Sequence, residues 1–138
     1  MVIDTSALLA ILFNERDAEH FELALAIDPV RLISAASVLE TAIVVEARLG
    51  EAGGRELDEL LATAQVTIMP FTTDHAAIAR QAYRTYGKGR HAAGLNYGDC
   101  FSYALAKTSG EALLFKGNDF SQTDVTPWRL PQHEPPPA

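Results

Sequence analysis

A chain of 138 residues is the size of one ordinary domain and long enough to bury a single core. With 48% hydrophobic and 21% charged residues it is neither disordered nor fibrous in composition, and no apolar run is long enough to span a bilayer. The net charge of −7 argues against a coat for duplex nucleic acid, which would be basic, yet leaves room for an enzyme whose acids hold a metal. The single cysteine, Cys100, excludes an internal disulfide, and the scattered His20, His75, His91 and His133 lack zinc-ligand spacing. No basic segment precedes an apolar one at the N-terminus, so a cytoplasmic protein without signal peptide or membrane anchor is expected.

In chain order, Met1-Val2-Ile3 is an apolar run of strand length that Asp4 ends. Thr5 or Ser6 then caps a helix running to Phe13. A turn over 14–17 leads to a helix over 18–27, with Phe21 and Leu25 available for packing, and Asp28-Pro29 breaks it. Residues 30–33 read as a second strand, closed by Ser34. The run 35–49 is apolar nearly all round, the pattern of a buried helix; Gly50 ends it and Gly53-Gly54 opens another through about Ala64. A third strand, 66–69, stops at Pro70, and Thr73 or Asp74 caps a helix over 75–86.

Residues 87–94 form a loop rich in glycine and positive charge, and Asn96 starts a helix over 97–108. A fourth strand follows at 112–115, then the turn Gly117-Asn118-Asp119 and a last edge strand at 125–128. The tail 132–138, with Pro135-Pro136-Pro137, reads as disordered. Strands alternating with helices predict one α/β domain over 1–131, a mostly parallel central sheet with helices on both faces.

Most acids, such as Glu51, Glu56, Asp58 and Glu59, fall on stretches that read as a solvated face. Others have local explanations: Asp4 as a helix cap, Glu40 in a capping box Ser37-x-x-Glu40, Asp99 favoured by a helix start capped by Asn96, Asn118 and Asp119 as turn residues. These positions share one place. Asp4 and Asn118-Asp119 follow strand ends, and Glu40 and Asp99 lie in early turns of helices, all at the carboxyl edge of a parallel sheet. Oxygen donors converging without His or Cys suit Mg²⁺ or Mn²⁺, and a divalent cation relieves the mutual repulsion of the carboxylates.

The segments Val2-Ile3-Asp4-Thr5-Ser6-Ala7-Leu8, Ile33-Ser34-Ala35-Ala36-Ser37-Val38-Leu39-Glu40, Leu95-Asn96-Tyr97-Gly98-Asp99-Cys100 and residues 113–124 resemble the PIN-domain family, most specifically through Leu95 to Asp99. Within that family the chain is similar to the VapC toxins, over residues 1–130. The resemblance implies a Mg²⁺-dependent endoribonuclease, with Mn²⁺ as a substitute, that cuts structured RNA. It also implies a VapB-type antitoxin as partner and a homodimer. Carried over residue by residue, the metal-binding acids are Asp4, Glu40 and Asp99, and Ser6 is the polar group supporting the first acid, beside Asn96 at the Asp99 helix. The fourth acidic position falls on Asn118 where many relatives have Asp, with Asp119 beside it, so both join the catalytic set and the strength of a second metal is open.

No Asp or Glu occurs from His75 to Gly98, whereas Arg80, Arg84, Lys88 and Arg90 do, which marks a strip for a phosphate backbone or a solvated helix face. Tyr83, Tyr86 and Tyr97 are read first as packing residues and second as platforms for unpaired bases, and Cys100 as a small buried helix residue. Two other functions compete: a phosphohydrolase attacking through Asp4, and a regulatory module whose acidic pocket receives a partner's cation.

Overall fold

Successive strand residues point to opposite faces of a sheet, and in the computed structural model, which describes residues 1–131 and 136–137, each of the two faces has its own core. Ile3 and Leu114 pack with Leu8, Phe21, Ile33 and Leu57 on one side. Val2 and Leu113 pack with Leu95, Tyr103, Leu105 and Phe120 on the other. The elements are β1 (Val2–Ile3), α1 (Thr5–Leu12), α2 (Ala18–Ile27), β2 (Leu32–Ser34), α3 (Ala35–Thr63), β3 (Thr67–Met69), α4 (Thr73–Tyr86), α5 (Tyr97–Ser109) and β4 (Leu113–Leu114). The sheet order is β3-β2-β1-β4 and every pairing is parallel, with Val2 opposite both Leu32 and Leu113. Helices α1, α2 and α3 cover the first face; α5, backed by α4, covers the second. The predicted α/β architecture with helices on both faces is what forms.

Strand order reverses between β1 and β4, because β2 and β3 lie on one side of β1 and β4 on the other. In open parallel sheets the crevice beyond the strand ends at such a reversal is where ligands settle. Asp4 leaves β1 there, and the chain carrying Asn118 and Asp119 leaves β4 there.

Several expectations need correction. Asp4 itself, not Thr5 or Ser6, is the N-cap of α1. Thr72 rather than Thr73 or Asp74 caps α4, and Ser34 caps α3, so Ser37 lies inside the helix and forms no box with Glu40. Gly50 does break α3, at φ 68°, but helical structure resumes before Gly53-Gly54, which are buried where the second half folds against Val45 and Glu46. The first half is not buried all round: Leu39 and Ile43 are 62% and 60% exposed. The expected edge strand at 125–128 is a single parallel bridge between Pro127 and Leu113, since proline supplies no N–H to extend a ladder. The disordered tail expected at 132–138 rests largely on residues outside those described.

Candidate metal centre

Asp4 is 4% exposed, and both of its carboxylate oxygens accept hydrogen bonds. Oδ2 accepts from the Ser6 N–H at 3.0 Å and the Ser6 hydroxyl at 2.6 Å, while Oδ1 accepts from the Ser102 hydroxyl at 2.5 Å. Burial pushes this carboxyl above the usual range and the hydrogen bonds from Ser102 and Ser6 pull it back. Ser6 also accepts from the Lys116 N–H at 2.9 Å, which ties the chain leaving β4 to the first turn of α1. The Lys116 ammonium anchors that chain further, 2.6 Å from Glu15 and 3.0 Å from Asp17.

Glu40 reaches this place from α3 because residue 98 has no side chain. A Cβ on Gly98 would lie 2.5 Å from Cδ of Glu40, so the carboxylate occupies the volume a methyl group would take. Glu40 is raised by burial and then by the charge of Asp4, with Thr5 partly offsetting both. Asp99 is held by a capping box: Asn96 Oδ1 accepts from the Asp99 N–H at 2.9 Å, and Asp99 Oδ2 accepts from the Asn96 N–H at 3.0 Å. The local explanation for Asp99 and its place among the acids therefore hold together. Burial first, then Asp4 and Asp119, raise its carboxyl to about 7. Asp119 comes within hydrogen-bonding reach of Asp99. Asn118 is exposed, and its carbonyl accepts from the Ser121 hydroxyl at 2.7 Å. Asp119 is exposed as well, and of the two candidates for the fourth position it is the one that adds to the upward push on the Asp99 carboxyl.

Asp4 thus acts on both Glu40 and Asp99, and Asp119 on Asp99, an all-oxygen set of the kind that hard divalent ions take. The cage is open. Among the described residues no three His, Cys, Asp or Glu side chains close round a single point. With both oxygens hydrogen-bonded and almost no exposure, Asp4 is poorly placed to act as an attacking nucleophile.

Beside the acids runs a cleft of about 660 Å³ lined by Arg80, Arg84, Arg90, Tyr83, Tyr97 and Phe71 among others. Lys88 is exposed and outside its lining. Tyr86 packs in the core as expected, and Cys100 is buried, but Tyr97 is 79% exposed and packs only edge-on against Phe101. A smaller hollow of about 380 Å³ shares Phe71, Tyr97 and Phe101 and is lined by Leu39, Ile43 and Glu40, so cleft and acids adjoin. Sequence reasoning missed Ser102 and Gly98. A glycine in the first turn of a helix, where alanine is preferred, was the available signal for Gly98; Ser102 had only its helical spacing from Asp99.

The PIN domain profile matches residues 1–125. The chain belongs to the PIN-domain family. Ribonuclease VapC30 of Mycobacterium tuberculosis is 63% identical to this PIN domain over 131 residues, covering 95% of the chain and all of the relative. The fold matches the crystal structure of VapC20, a sarcin-ricin loop cleaving toxin of the same organism, at TM-score 0.76 and 18% identity over 94% of this chain and 98% of that one. It also matches a chain of a toxin–antitoxin complex from Klebsiella pneumoniae at TM-score 0.68 and 21% identity, over 94% and 98%. At such identities the structures speak for the fold, and the 63% relative places this PIN domain with the VapC ribonucleases.

Proposed function

We propose that this PIN domain is a metal-dependent endoribonuclease, the toxin of a VapBC-type pair, acting in the cytoplasm. The carboxylate cluster at the reversal of strand order carries the reading, supported by the high identity to VapC ribonucleases. Asp4, Glu40 and Asp99 would hold Mg²⁺, or Mn²⁺ in its place, with Asp119 taking the fourth position ahead of Asn118. Bound there, the ion supplies charge neutralisation at the phosphodiester and a lower pKa for the attacking water. Ser6 holds Asp4, and Asn96 holds Asp99, in fixed orientations. Without a cation Asp99 keeps a proton up to about pH 7, and it yields that proton when the site fills.

Arg80, Arg84 and Arg90 track the RNA backbone along the cleft, and exposed Tyr97 offers a face to an unpaired base. Lys88 contributes only to the field at the rim. The uncovered apolar strip of Leu39, Ile43 and Val44 supports a homodimer, and an antitoxin completes the assembly, as the toxin–antitoxin complex of similar fold suggests. No helix among the described residues is long and apolar enough to cross a membrane.

The test is direct. Purified protein with Mg²⁺ is incubated with total RNA and the new ends are sequenced, alongside Asp99→Asn. Discrete cuts that vanish in the folded variant support the reading. A metal-loaded protein that cuts no RNA would instead favour a regulatory module, and a phosphoenzyme trapped on Asp4 a phosphohydrolase.

A further inference from the structure

Ser102 lies on α5 one turn beyond Asp99, and it is fully buried. A helical serine commonly returns its hydroxyl to the carbonyl one turn back; this one donates across to Asp4 Oδ1 at 2.5 Å. Its single proton is thereby committed, so in the 3.5 Å contact between the Ser102 and Ser37 hydroxyls, Ser37 is the donor. Ser37 is fixed in turn: its carbonyl accepts from Thr41 at 2.7 Å and from Thr5 at 3.3 Å. The chain of hydroxyls Ser37 to Ser102 to Asp4 therefore joins α3, α5 and the end of β1, the elements that carry Glu40, Asp99 and Asp4. Ser37, Ser102 and Thr41 are 0% exposed, so solvent water has no way to replace a missing member.

A carboxylate has about four lone-pair positions. Ser6 fills both on Oδ2, and Ser102 fills one on Oδ1. Rotation about the terminal bond of an aspartate is soft, and anchors on both oxygens remove that freedom. We propose that Ser102 is the positioning residue of the first acid: by holding Oδ1 while Ser6 holds Oδ2, it locks the Asp4 carboxylate in one orientation at the site. A cation held there would meet the Asp4 carboxylate in one fixed orientation. The inference rests on the metal-dependent reading given above.

The experiment titrates Mn²⁺ alone, without RNA, into the unmodified protein, Ser102→Ala, Ser102→Thr and Ser37→Ala, and records thermal unfolding of each. Loss of a group that orients a metal ligand typically weakens binding about 10- to 100-fold, so Ser102→Ala should bind Mn²⁺ at least about tenfold more weakly. Ser102→Thr, which keeps the hydroxyl, should restore binding to within about threefold. Ser37→Ala removes a buried hydrogen bond next door but leaves Asp4 held; it should melt earlier and bind Mn²⁺ within about twofold of the unmodified protein. If Ser102→Ala shows no cooperative melt, Ser102→Cys, of similar size but a weaker donor, is read in its place. Equal affinity in the Ser102 variant and the unmodified protein would overturn the proposal, as would an equal loss in Ser37→Ala. No Mn²⁺ binding by the unmodified protein would overturn the metal reading itself and this inference with it.

Discussion

Gly98→Ala separates the geometry of the site from the stability of the fold. A methyl group at position 98 would sit 2.5 Å from Cδ and 2.7 Å from Oε1 of Glu40, where ordinary contact begins at 3.4 Å. Glu40 Oε2 would lie closer still, so the carboxyl has to retreat by well over ~1 Å, and it has room to do so because the hollow beside it is open. A misplacement of about 1 Å in a catalytic constellation costs on the order of 100-fold in rate. The same substitution removes glycine from a helix, worth about 0.5–1 kcal/mol in favour of alanine, which offsets the crowding. Gly98→Ala should therefore keep the unfolding midpoint near that of the unmodified protein while cleavage of RNA falls at least about 100-fold. Paired measurements of thermal unfolding and of initial cleavage rates under saturating Mg²⁺ decide it. Cleavage within about threefold of the unmodified rate, in a variant as stable as predicted, would refute the account of how Glu40 reaches the site.

Asp99 makes the metal-free protein pH-sensitive. Its carboxyl rises from 3.8 to about 7 on folding, so between those values the folded chain holds a proton that the unfolded chain has released. Stability without metal should fall as pH rises through that window and level off above about 7; thermal melts in chelator from pH 5 to 8 measure it, and added Mn²⁺ should reverse the trend. Asp119→Asn should weaken Mn²⁺ binding several-fold, because Asp119 adjoins Asp99, whereas Asn118→Asp should change it by less than about twofold; calorimetric titration compares them. Replacing Arg80, Arg84 and Arg90 with Ala should raise KM for RNA with little change in kcat. The salt dependence should flatten by roughly 0.7 for each phosphate no longer neutralised, read from KM at salt concentrations between about 50 and 200 mM.

Much of the site was legible because the residues that build it also obey local rules. Asp4 ends an apolar run, and Asn96 and Asp99 have capping-box spacing, so strand ends and helix starts could be placed without knowing the tertiary structure. The rest depends on distances that no local pattern encodes. Whether Asn118 or Asp119 faces Asp99 is set by the turn after β4, where Gly117 takes φ 100° and the carbonyl of Asn118 is drawn to Ser121. Ser102 looks like any small residue on a buried helix until Asp4, 98 positions away, is brought beside it. The first half of α3 misled because apolar periodicity reports that a surface wants to be covered, not whether this chain supplies the cover.

The capping box at α5 gives one carboxylate two allegiances. Asp99 Oδ2 terminates the helix by accepting from the Asn96 N–H, and the same side chain faces the other acids. A cation held there would draw electron density from Asp99 and weaken that acceptor, so loading the site would tug on the first turn of α5, whose next residues pack against the sheet. The amide proton of Asn96 is then a built-in gauge: its exchange rate and chemical shift register the filling of the centre from inside the backbone, without a label and without RNA.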